Sequence, residues 1–176
     1  MQWDTRIEAR IAMAMLGVQA MKGVEIGPAW RNAAHRGTRV QDEIERLDDG
    51  TLVRATNRAG GTEGGITTGE PLVVRVAKKP ISTTLDPRRS VDLATGEPAV
   101  TAYERSDFCA VPRAVPILES MLALVLADAI LLKVGGDSLD EIRPRFDALR
   151  RSHLDDLPLD GRPWQIAYGS LDEREG

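Results

Sequence analysis

The apolar positions of this chain change their spacing along its length, and each change marks an element. In residues 4–18, Ile7, Ile11, Ala14 and Met15 share one helical face, with Asp4 placed to cap the first turn. KGVEIG (22–27) is short and strand-like. Residues 42–47 and 51–55 flank Asp48-Asp49-Gly50, a turn of the kind that joins hairpin strands. Residues 72–78, LVVRVAK, give the strongest strand signal, β-branched and partly alternating, although Arg75 interrupts the apolar set. A further strand is predicted over 99–105. The apolar run 114–134, ended by Gly135-Gly136, predicts one long buried helix. Ser138 caps a last, polar helix, with Glu141 at capping-box spacing. From Leu157 onward the chain is rich in Pro, Gly and charge and reads as a tail. No internal repeat is visible. The mixture of elements predicts an α+β fold.

Between the hairpin and the strong strand stands TNRAGGTEGGITTGEP (56–71), in which five of sixteen residues are glycine. So much backbone freedom implies close approach of something, either another piece of chain or a ligand. The stretch matches neither the P-loop nor the dinucleotide fingerprint, and a tight loop that binds nothing has the same composition. Downstream lie Arg75, Lys78, Lys79, Arg88, Arg89, Arg105 and Arg113. Cations this dense in an acidic chain point to a local positive pocket for a small polyanion. A solvated edge strand guarded by lysines explains Lys78 and Lys79 equally well, but not Arg75 in mid-strand.

Composition narrows the classes. The chain has 176 residues, enough for one domain with a core. A net charge of −4 and 4% aromatics argue against a nucleic-acid partner. The single cysteine, Cys109, excludes a disulfide framework and a cysteine zinc site, and it is expected to be a small packed residue. No metal site is expected. Glu119, Asp128 and Lys133 interrupt the apolar run 114–134, so a core helix rather than a membrane span is expected. The opening MQWDTRIEAR does not resemble a secretory leader, and a cytoplasmic setting is expected.

Taken together, TNRAGGTEGGITTGEPLVVRVAKKPIST, then SVD, then ERSDFCAVPRAVPILESMLALVLADAIL resemble the chorismate synthases. KGVEIG and VQDEI match the same family upstream, in the same order, and the resemblance runs from about residue 3 to 135. It implies a β–α–β sandwich, with long helices between antiparallel sheets, of which about half is present. It implies elimination of phosphate from 5-enolpyruvylshikimate 3-phosphate to give chorismate, with reduced FMN as cofactor and a homotetrameric assembly. The flavin contacts it implies are Gln19, Ala20, Gly64, Lys79, Pro80, Ile81, Ser82, Thr83 and Arg105, with Asp107 handling a proton. Residues 1–156 would form the C-terminal half of the enzyme domain and 157–176 a variable tail. The family's two catalytic histidines lie in an N-terminal half with no counterpart here, so this chain is expected to be inactive by itself. Departures from the family pattern are Arg58 for Asn, Ser82 and Phe108 for Pro, and Gln41 for His. His35 and His153 match no family histidine and are expected at the surface. A truncated, non-catalytic paralogue that binds an anion, a flavin or a partner is the alternative.

Overall fold

A computed structural model describes residues 2–104, 109–157, 159 and 161. In chain order its helices are α1 (Ile7–Gly17), α2 (Ala29–Ala33), α3 (Val111–Val134) and α4 (Leu139–Asp147). Its strands are β1 (Met21–Ile26), β2 (Ile44–Arg46), β3 (Leu52–Arg54), β4 (Thr62–Glu63), β5 (Ile66–Thr67), β6 (Val74–Lys78), β7 (Arg89–Val91) and β8 (Pro98–Val100). All pairings between these strands are antiparallel: β1 with β6, β2 with β3, β4 with β5, and β7 with β8.

Helix α1 lies at the centre because its Ile7, Ile11 and Met15 recur at helical spacing and are buried. One side of this stripe meets Val24, Ile26, Leu72, Val74 and Val76 from the β1–β6 region. The other meets Leu118, Met121, Leu122, Val125, Leu126 and Ala129 of α3. An ion pair between Arg10 and Asp128 ties the outer edges of α1 and α3 together. The order of layers is therefore sheet, helix, helix.

Several predicted boundaries move, each for a physical reason. Helix α1 starts at Ile7 instead of Asp4, and Arg6 at its N-cap makes no side-chain cap bond. The first orphan donor, Ile7 N–H, is satisfied by the carbonyl of Gly65 at 2.9 Å, so the β4–β5 turn takes over the capping role. Helix α3 begins at Val111, with Pro112 in its first turn, where a missing N–H costs nothing. It is not buried throughout: Leu124 and Leu132 on its outer face are 65% and 73% exposed. With a window of mean hydropathy 2.1, it is the one described helix long and apolar enough to cross a bilayer. Of the described part of the predicted 99–105 strand, only Ala99 and Val100 fall in β8, which starts at Pro98 and whose partner β7, not anticipated from sequence, is three residues long. Cys109 is exposed, not packed. Ser138 does cap α4, accepting from Glu141 N–H at 3.4 Å.

Two of the five glycines in the 56–71 loop, Gly60 and Gly61, serve chain-to-chain approach. A Cβ on Gly60 (φ +69°) would stand 2.3 Å from the nitrogen of Gly27, and one on Gly61 would stand 2.6 Å from the carbonyl oxygen of Pro71. Backbone bonds exploit the closeness. Gly27 N–H donates to Val73 at 2.8 Å, and Val73 N–H donates to Gly60 at 3.0 Å. Gly64 differs: it turns the β4–β5 hairpin at positive φ, and nothing lies within 4 Å of where its Cβ would be. The entry to the loop is held by Asp42, whose carboxylate accepts from the Thr56 hydroxyl and from the Arg58 and Ala59 N–H groups at 2.5, 2.7 and 2.8 Å. Partial burial pushes its pKa up, but these three bonds together with the charge of Arg54 outweigh that and lower it.

Two outcomes are expected. Gly60→Ala should destabilise the fold by more than about 3 kcal/mol, because a backbone clash adds to the strained φ, whereas Gly64→Ala should lose only about 1 kcal/mol. Denaturant titration of both variants checks this, and equal losses would contradict the chain-packing role of Gly60. Asp42 stabilises the fold fully above the ordinary carboxylate pKa of about 3.9, and this contribution disappears as pH falls through its lower folded value. Asp42→Asn should therefore lose roughly 1–3 kcal/mol at pH 7, and the gap to the parent should close below about pH 4. A gap that stays constant down to acid pH would contradict it.

Candidate functional site

Two segments 59 residues apart in sequence meet just past the C-terminus of α1. Ala20 sits there at φ +67°, the one described non-glycine residue in the left-handed region. That conformation costs an L-residue about 1–2 kcal/mol. It turns the Ala20 carbonyl to accept from Lys79 N–H at 2.7 Å, one step beyond the Met21–Lys78 pair of the β1–β6 ladder. Pro80 has no N–H, so the ladder ends there and 80–83 leave without regular structure. Gln19, Lys79, Pro80 and Ser82 are exposed, whereas Ala20, Ile81 and Thr83 are half-buried. The structure thus brings Gln19 and Ala20 to the start of the Lys79–Thr83 segment.

The positive pocket expected from sequence is smaller than the list of cations implied. Arg75 faces its cross-strand neighbour Glu25 at 3.5 Å and donates to the Gly27 carbonyl at 2.7 Å. It is a strand-pairing residue, which corrects the inference drawn from its mid-strand position. Arg88 pairs with Asp86 at 2.9 Å. The side chains of Lys78 and Lys79 pair with no carboxylate among the described residues. Beside them opens an apolar hollow of about 340 Å³, whose walls include Met15, Met21, Val76, Ala114 and Leu118, with Lys78 at its edge. Its far wall comes from the first turns of α3, a contribution that apolar spacing does not reveal.

Gly64 is not part of this junction. It borders a second, more polar hollow of about 480 Å³ together with Arg54, Glu63, Thr67 and Glu70. Because Gly65 binds the N-terminus of α1, Gly64 and Ala20 stand at opposite ends of an eleven-residue helix, about 16 Å long at 1.5 Å per residue. Arg105 and Asp107 lie outside the described residues. No group of three or more His, Cys, Asp or Glu among the described residues is arranged to hold a metal ion. His153 is structural: its ring bonds the Asp49 carbonyl at 2.5 Å and its Nδ1 accepts from Asp155 N–H at 3.2 Å, closing the 48–50 turn against segment 153–155. His35 is exposed, as expected.

A family model described as chorismate synthase matches residues 1–131. The chorismate synthase of Pseudarthrobacter chlorophenolicus is 49% identical over 156 residues, which are 89% of this chain and 38% of that protein. The chorismate synthase of Frankia casuarinae is 54% identical over 151 residues, 85% of this chain and again 38% of the relative. A crystal structure of chorismate synthase aligns with a TM-score of 0.67 at 45% identity, covering 84% of this chain and 37% of that one. The chain therefore spans under two fifths of the length of the relatives it matches. At this level of identity, and with an α+β fold that superposes on a solved member, the chain belongs to the chorismate synthase family.

Proposed function

We propose that this chain carries the flavin-contacting part of a chorismate synthase, a lyase that eliminates phosphate from 5-enolpyruvylshikimate 3-phosphate to give chorismate. The observation that carries the reading is the junction of Ala20 with Lys79. Backbone strain outside glycine persists where the surrounding structure enforces it, and such outliers concentrate at ligand sites. The chemistry of the junction fits a phosphate-bearing ring cofactor. Lys79 carries an ammonium without a carboxylate partner among the described residues, Ser82 and Thr83 carry hydroxyls, and Ile81 and the apolar hollow offer a surface for a ring. When bound, reduced FMN supplies electron density to the reacting centre with no net redox change.

In this reading Lys79, Ser82 and Thr83 hold the anionic end of the cofactor, while Gln19 and the strained Ala20 fix the start of the cradle. Arg105 adds a second cation, and Asp107 holds or passes a proton beside the ring. Gly64 contributes from the opposite end of α1, where a side chain would intrude on open space. The general acid for the leaving phosphate comes from histidines in the part of the relatives' length that has no counterpart here. Residues 1–156 then form the C-terminal part of the enzyme domain, with 157–176 as an appended tail, and the complete enzyme is a cytoplasmic homotetramer. Packing of α3 on α1, with the Arg10–Asp128 pair, favours a core helix over a membrane span.

Reduced-FMN titration of the purified chain tests the junction. Ala20→Val places a β-branched residue at positive φ and should weaken binding at least roughly tenfold, while Ala20→Gly, which tolerates that φ, should bind as the parent does. Equal affinities for the Val variant and the parent would remove Ala20 from the site. Incubating residues 1–176 with reduced FMN and 5-enolpyruvylshikimate 3-phosphate should yield no chorismate, since loss of a general acid costs factors of about 10² or more. Detectable turnover would overturn the division of labour between the two parts.

A further inference from the structure

A second cationic feature lies away from the flavin junction. Segment 26–41 carries Arg31, Arg36, Arg39 and His35 and contains no Asp or Glu, in a chain of net charge −4. Helix α2 and the 3₁₀ turn Gly37–Arg39 fold it around an open hollow of about 600 Å³ lined by Ala34, His35, Arg36, Thr38 and Arg39. Asn32 donates to the Arg58 carbonyl at 2.8 Å, bringing the backbone of a fourth arginine against α2. Arg31, Arg36 and Arg39 are exposed, and none forms an ion pair among the described residues. The carboxylates that adjoin the segment are already engaged. Glu25 accepts from Trp30 N–H at 3.0 Å and faces Arg75 at 3.5 Å. Asp42 is taken by Thr56, Arg58 and Ala59.

Guanidinium groups gathered within nine residues repel one another, and none of the three is offset by an ion pair among the described residues. We propose that the hollow binds a small phosphorylated molecule through Arg36 and Arg39. Planar guanidinium forks match phosphate oxygens in pairs, and two such cations close together favour a multiply charged phosphate over a singly charged carboxylate. The patch is short and the whole chain is acidic, which favours a small anion over a nucleic-acid backbone. The site is separate from the flavin junction. It follows the Ile26 end of β1 whereas Ala20 and Lys79 sit at the Met21 end, about 17 Å away at 3.3 Å per strand residue. The proposal therefore holds whether or not the junction binds flavin.

Calorimetric titration of the full chain with inorganic pyrophosphate tests it. The parent should bind saturably, with an affinity that falls as salt rises. The double variant Arg36→Ala/Arg39→Ala should bind roughly tenfold more weakly or worse, with its melting temperature unchanged because both side chains are exposed. Arg36→Lys/Arg39→Lys, which keeps the charge but not the forks, should fall between the two. Lys133→Ala, which removes an exposed cation of α3 outside both sites, should bind like the parent. Absence of saturable binding, or binding indifferent to the arginine substitutions, would overturn the proposal. Loss of binding in Lys79→Ala with the arginine variants unaffected would overturn it as well, by moving the anion to the flavin junction.

Discussion

Burial of Ile7, Ile11 and Met15 between a two-stranded sheet and α3 fixes where the rest of the chain stands. Each fully buried side chain of this size contributes roughly 1.5–3 kcal/mol. The β1–β6 ribbon could not persist without that surface, since an isolated pair of strands is marginal in water. Because the stripe sets the position of α1, it also sets what lies at each end of the helix. The N-terminus receives the Gly65 carbonyl and the C-terminus leads into the strained Ala20. The candidate site residues are thus spaced by the length of one helix.

That geometry separates two uses of glycine within one loop. Gly60 and Gly61 let backbones touch, Gly60 against Gly27 and Gly61 against the Pro71-Leu72 backbone, and so join the end of β1 to the start of β6. Gly64, a few residues on, meets nothing. The ladder that this contact completes is the one whose far end holds Ala20 against Lys79. A loop that packs chain against chain at one point therefore supports the Ala20–Lys79 junction at another.

Local signals read well in the sequence. The i, i+4 stripe of α1, the Ser138 cap and the Gly135-Gly136 stop of α3 all depend on neighbours within one or two turns. What failed depended on partners far along the chain. Asp4 looked like a cap, but the cap is Gly65, and Arg75 looked like a ligand cation, but Glu25 stands across the strand. The half-exposed state of α3 was foreseeable only from how much chain packs on it, which periodicity does not encode. For the site, family resemblance named the residues, and spacing alone would have named none beyond the glycine loop and the lysines. Ala20 carries no sequence sign of its positive φ, and its meeting with Lys79 follows from strand register.

Hydrogen exchange of the backbone amides, with and without reduced FMN, tests the proposed flavin cradle most directly. A cradle at the junction requires added protection at Gln19, Ala20, Lys79, Ile81, Ser82 and Thr83, with a smaller change at Gly64 and none at the solvent-facing residues of α3. Protection confined to the Arg36–Arg39 hollow, or no change at Lys79 to Thr83 when the flavin is saturating, would contradict it.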